Sequence, residues 1–222
     1  MAKLTGILAI ICLLLTVLWL GLLIADMATA GPLDTFAQVV THAARLDWLF
    51  YATYLNAALI TLAATALMTA LHAYLKPDAP PWIVIGLVFT PIYGALNLVV
   101  YLSQVVIAPA LLTLRGDLLY GAATDVLLRQ VLQTWPESGM AFFNGLAYAV
   151  LSIPSILYGV LLWRRRGALR WSGGLLILNG VACILGVVGF LTGSAPLRTG
   201  TMAGGVFFLL ALFPLSWGLL KR

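Results

Sequence analysis

Three observations predict an all-α, polytopic transmembrane fold: a six-helix bundle with short external amphipathic helices. Six apolar stretches are each long enough to cross a bilayer, almost no charge falls inside them, and the basic residues gather on alternate connections. Hydrophobic residues make up 63% of the chain and charged residues only 9%, too few to clothe a water-soluble domain of this length. A hydrocarbon core of ~30 Å requires ~20 helical residues, and each stretch supplies about that number. The expected spans are 4–24, 49–74, 82–102 (with room to run on to 107), 140–163, 171–191 and 202–220, forming a single transmembrane domain over 1–222.

The first stretch is followed by Ala28-Thr29-Ala30, a sequence of the kind signal peptidase cuts. Its apolar run of about 18–20 residues exceeds the ~7–15 of a signal peptide, so a retained helix is expected. After it, residues 34–45 place Phe36, Val39, Val40 and Ala43 at i, i+3, i+4 and i+7, with Pro32 and Asp34 as helix-start signals. The second span ends at a connection whose Pro77, Pro80 and Pro81 interrupt any helix. Beyond the third span, residues 125–135 repeat the amphipathic pattern with Val126, Leu127, Val131, Leu132 and Trp135. Both amphipathic segments suit either the headgroup plane or a lid over the bundle mouth.

Proline lies within or beside three spans, at Pro91 and Pro109, Pro154 and Pro214. The carbonyl freed by Pro154 has Ser152 and Ser155 nearby, so either a kinked fourth span or a broken, ligand-coordinating one is compatible with the sequence. Gly189–Gly193 and Gly200–Gly204 have the spacing that lets helices approach closely, here around the last hairpin. Cys12 and Cys183 sit singly in apolar spans and read as small packing residues.

With the N-terminus in the cytoplasm, Lys3, Lys76, Arg164, Arg165, Arg166, Arg170, Lys221 and Arg222 fall inside, against Arg45, Arg115, Arg129 and Arg198 outside. Of the acids, only Asp78 falls inside. The positive-inside rule therefore predicts both termini cytoplasmic. The basic balance is a topology signal and gives no reason to expect nucleic acid; membrane lipids are the expected surroundings.

The chemistry within the spans is neutral. Asn56, Asn97, Asn144 and Asn179 place one amide in each of four successive spans. Asn97, Tyr101 and Gln104 share a face at i, i+4 and i+7, and Asn144 and Tyr148 repeat the i, i+4 pairing. At 1.5 Å per residue, Asn56 and Asn144 lie ~10 and ~6 Å below the outer boundary and Asn97 ~22 Å above the inner one. Asn56, Asn97, Tyr101, Gln104, Asn144 and Tyr148 are therefore the candidate ligand-binding set in the outer half. The same residues also serve as interhelical glue in many bundles. Asn179 lies nearer the inner half.

Several activities lack their residues. His42 and His72 sit at opposite ends, so neither a bis-histidine haem nor a metal cluster is expected. No lysine lies mid-span for a Schiff base, no expected span contains a carboxylate for proton-coupled transport, and no serine has a base in its span. Neither a cofactor nor catalysis is expected.

Pro91-Ile92-Tyr93, Val100-Tyr101-Leu102-Ser103-Gln104, Trp135-Pro136-Glu137-Ser138 and Leu146-Ala147-Tyr148 are set on the six-span plan over nearly the whole chain. In these respects the sequence resembles a group of uncharacterised bacterial six-helix integral membrane proteins, a domain of unknown function. The resemblance implies a bacterial cytoplasmic membrane and carries over no functional residues. Two functions stay open: binding or moving a small neutral amphipathic or lipid-like ligand, or acting as a structural or regulatory membrane partner.

Overall fold

The computed structural model describes residues 1–117 and 119–221. Its elements are α1 (Ala2–Ala30), α2 (Phe36–Ala43), α3 (Trp48–Leu75), a 3-10 turn (Lys76–Asp78), α4 (Ile83–Leu114), α5 (Gly121–Val131), α6 (Gly139–Trp163), α7 (Ala168–Thr192), α8 (Ala195–Arg198) and α9 (Gly200–Leu220). Six of these, α1, α3, α4, α6, α7 and α9, are long and apolar enough to span a bilayer. The protein is an all-α, multi-pass membrane protein. Among the described residues there is no strand.

The six spans form a ring in chain order. Each packs mainly against its neighbours in sequence, and α9 closes against α1. The short α3–α4, α6–α7 and α7–α9 connections make those pairs antiparallel. The longer connections through α2 and α5 share one cluster at one end, so both termini lie at the other end, with the α3–α4 and α6–α7 turns. We call the opposite end the capped end. The ring interior is filled by Ala9 and Cys12 of α1, Ala64, Leu67, Met68 and Leu71 of α3, Tyr93 of α4, Leu151 and Tyr158 of α6, Leu176 of α7, and Leu212 and Leu215 of α9. Apolar side chains such as Leu14, Ile24, Val88, Val106, Leu191 and Met202 face outward, where lipid is the solvent.

Close helix approach is built from glycine. At the α6–α7 crossing, a methyl group on Gly173 would meet backbone atoms of Gly159, Leu162 and Trp163. Gly189, Gly200 and Gly204 are used the same way within the chain, against Leu197 and Arg198, Ala182 and Gly186, and Cys183. These glycine faces are closed inside the bundle. Gly167, at φ 67°, makes the α6–α7 turn, and Arg165 reaches Asp78 at 2.8 Å to tie the two turns of the termini end together.

Several boundaries differ from expectation. The first span does not stop at residue 24. It continues as helix to Ala30 and so includes Asp26, whose carboxylate is met by His42 and Arg45. The third span runs to Leu114 past Pro109, because an interior proline removes a single helix bond and the flanking turns stay apolar. Thr35, rather than Pro32 or Asp34, caps α2, in a reciprocal capping box with Gln38. The second amphipathic helix is 121–131, not 125–135. It buries Thr124 and Leu128, while Val126 and Leu127 of the expected stripe face outward. At Pro154 the fourth span is continuous. Ser152 donates to the Tyr148 carbonyl at 3.0 Å, and the Ser155 hydroxyl is buried without a partner.

The amphipathic helices form a lid. Phe36, Val39, Val40 and Ala43 of α2 share one buried cluster with Leu128 of α5, Leu132, Phe50 of α3 and Ala108 of α4. Phe36 and Trp135 meet edge to face at 5.5 Å, and Arg129 lies 4.2 Å over the Phe36 ring.

Candidate functional site

The six residues singled out from the sequence separate into four kinds of contact. Asn56 donates from Nδ2 to the Leu15 carbonyl at 2.9 Å, tying α3 to α1. Asn97 donates to the Thr61 hydroxyl at 3.4 Å, joining α4 to α3. Tyr101, Asn144 and Tyr148 do come together: the Tyr101 hydroxyl donates to Asn144 Oδ1 at 3.2 Å and lies 3.1 Å from the Tyr148 hydroxyl. Gln104 works on the lid. Its Nε2 donates to the Val131 carbonyl at 2.7 Å and its Oε1 accepts from the Gln133 amide at 3.1 Å. Asn179 lies apart, donating to the Gly204 carbonyl at 2.9 Å across α7 and α9.

Beneath the lid, at the mouth of the ring, is a cavity of about 210 Å³. That is about seven times a water's ~30 Å³ share of the liquid. Trp19, Leu23 and Asp26 line it from one face of α1, spaced i, i+4 and i+7. Phe50, Thr53 and Tyr54 line it from α3, and Tyr101 forms part of the wall from α4. His42 and Ala43 of α2, with Gln133 and Thr134 after α5, complete the roof. Of the six sequence candidates, only Tyr101 lines this space. The others hold the helices and the lid around it.

The rim carries a bonded set of charges. His42 Nε2 lies 3.0 Å from Asp26 Oδ2, and Arg45 Nη2 lies 2.7 Å from His42 Nδ1. A guanidinium can only donate, so Nδ1 is the acceptor and Nε2 carries the proton given to Asp26. Both ring nitrogens of His42 are thereby engaged. Arg45 also donates to the carbonyl and hydroxyl of Thr29 at 3.0 and 3.1 Å, and its Nε lies 3.9 Å from Asp47. The second carboxylate oxygen, Asp26 Oδ1, has only Arg45 Nη2 at 3.9 Å, beyond hydrogen-bond length. Thr53 Oγ1, on the cavity wall, is buried without a partner.

Asp26, His42, Thr53 and Tyr54 were not among the sequence candidates. Asp26 and His42 fall outside the expected spans, His42 on the first amphipathic segment. The available signal was the register of Trp19, Leu23 and Asp26, which shares one helix face only if α1 continues past residue 24. Among the described residues no three His, Cys, Asp or Glu side chains gather as a metal site. No family model, curated protein or solved structure matches the chain.

Proposed function

We propose that this multi-pass protein lies in the bacterial cytoplasmic membrane with both termini inside, and binds a small, mostly neutral amphipathic or lipid-like molecule beneath its external lid. The cavity under α2 and α5 carries this reading. It joins aromatic walls to a few polar residues at the capped end of the six candidate spans, the composition expected of a site for an amphipathic ligand. Arg164, Arg165, Arg166 and Arg170 at the termini end support the orientation through the positive-inside rule. The resemblance to uncharacterised bacterial six-helix membrane proteins agrees with it. Structural partnership is the weaker alternative, because Gly189, Gly200 and Gly204 and the apolar face of α2 that would serve docking are consumed within the chain.

The test is native mass spectrometry of the protein extracted in mild detergent, beside a Thr53→Leu variant that fills the cavity. A small adduct held by the wild type and absent from the folded variant is expected. The same adduct on both proteins would place the ligand elsewhere and end this reading.

A further inference from the structure

Resting on the cavity as a ligand site, a narrower conclusion concerns what its polar end accepts. Four aromatic residues, Trp19, Phe50, Tyr54 and Tyr101, line the same small space as Asp26 and Thr53. Aromatic faces attract cations through their quadrupole, most strongly where water is excluded. Among the described residues Asp26 Oδ1 accepts no hydrogen bond, its side chain keeping 17% exposure, and the buried Thr53 hydroxyl has no partner. Asp26 Oδ1 is therefore the acceptor left open to an incoming donor. The local charge agrees: Asp26 and Asp47 with Arg45 sum to −1, His42 being neutral in the tautomer fixed by Arg45. Arg45 is drawn away from the cavity by Thr29 and shared with Asp47, so it leaves Oδ1 the free oxygen.

We infer that the cavity takes a primary alkylammonium group, an N–H donor on Asp26 Oδ1 and its methylenes against the aromatic walls. The cavity's 210 Å³ suits a head of this size rather than a whole lipid, whose chains would have to lie outside it. An aminoethyl phospholipid is net neutral and presents this group. A free amphipathic amine presents the same chemistry.

The experiment uses the full chain in nanodiscs holding equal fractions of phosphatidylethanolamine, phosphatidylcholine and phosphatidylglycerol, with hexylamine or hexanol added in separate arms. Adducts are counted by native mass spectrometry. A charge-assisted hydrogen bond added to ring contact predicts an excess of the primary-amine lipid over the other two of roughly tenfold. Hexylamine but not hexanol should displace it, and Asp26→Asn should abolish the preference. Hexylamine adducts that vanish in Asp26→Asn, without any lipid preference, would support the same site with a free amine as its source. If Thr53→Leu removes the adducts but Asp26→Asn leaves their pattern unchanged, the ammonium inference fails and the cavity reading stands. Adducts indifferent to Thr53→Leu overturn both, as does the absence of any adduct on the wild type.

Discussion

Replacing Gln104 by Leu is predicted to loosen the lid and leave the ring intact. Gln104 is fully buried, and its amide makes the two side-chain hydrogen bonds that hold the segment after α5: one to the Val131 carbonyl at 2.7 Å and one from the Gln133 amide at 3.1 Å. Leucine keeps the bulk and removes both. At ~1 kcal/mol net per bond, the loss is about 2 kcal/mol. With 1.4 kcal/mol to each factor of ten, this raises the open population of the lid by roughly 30-fold. Hydrogen exchange read by mass spectrometry should show that acceleration in residues 121–135, with α6 and α7 protected as before. Unchanged exchange in the lid would refute the latch. Acceleration spread evenly over every span would show instead that Gln104 supports the ring as a whole.

Further outcomes follow from other contacts. Tyr101→Phe removes the hydroxyl that joins Asn144 and Tyr148 and should cost ~1–3 kcal/mol in detergent unfolding; combined with Asn144→Leu, the loss should fall short of the sum of the single variants. Gly173→Ala should lower the melting temperature sharply by driving a methyl into backbone, with overpacking worth ~1–3 kcal/mol or more. Gly205→Ala, with open space around it, is the control that should stay neutral. Arg165→Ala should cost no more than about 1 kcal/mol, since its ion pair with Asp78 is solvent-exposed. In whole cells, a membrane-impermeant thiol reagent should label Asp34→Cys directly and Arg166→Cys only after permeabilisation; the reverse pattern would invert the proposed orientation.

The ring was legible because lipid solvent imposes a strong rule: long apolar runs must become helices, and an even number of them returns the chain to its starting side. The site was less legible. Amides inside apolar spans stand out in the sequence, yet Asn56, Asn97 and Gln104 bond to neighbouring helices or to the lid, as buried amides in hydrocarbon must. Asp26 gave the opposite impression. A carboxylate after an apolar run reads as the start of a loop, but pairing with His42 and Arg45 lets α1 carry it on for another turn. No local pattern announces that pairing, since its partners lie 16 and 19 positions along the chain, across a turn and on or just after a helix that folds back. The lid stripe held in part: Leu132 is buried and Val131 and Trp135 pack against the same cluster, whereas Val126 and Leu127, though more apolar than Thr124, face outward.

The packing below the cavity also bears on whether a bound molecule could pass through the ring. Beneath Tyr101 lies the Asn97–Thr61 contact, and beneath that Tyr93, Leu67, Met68, Leu71 and Leu151, none more than 2% exposed. An aqueous route would have to wet this layer. Exposing a buried Leu or Met costs about 1.5–3 kcal/mol, so the four aliphatic side chains alone oppose it by roughly 6–12 kcal/mol. A ligand can drive such an opening only through its difference in affinity for the open and closed states. In the proposed mode a head held in the 210 Å³ space by Asp26 and the aromatic walls would make all of its contacts with the ring closed, so occupancy would stabilise closure. Of the two forms of the proposal, binding from the capped side, with the ring beneath acting as a floor, is the one consistent with this packing, and passage is not.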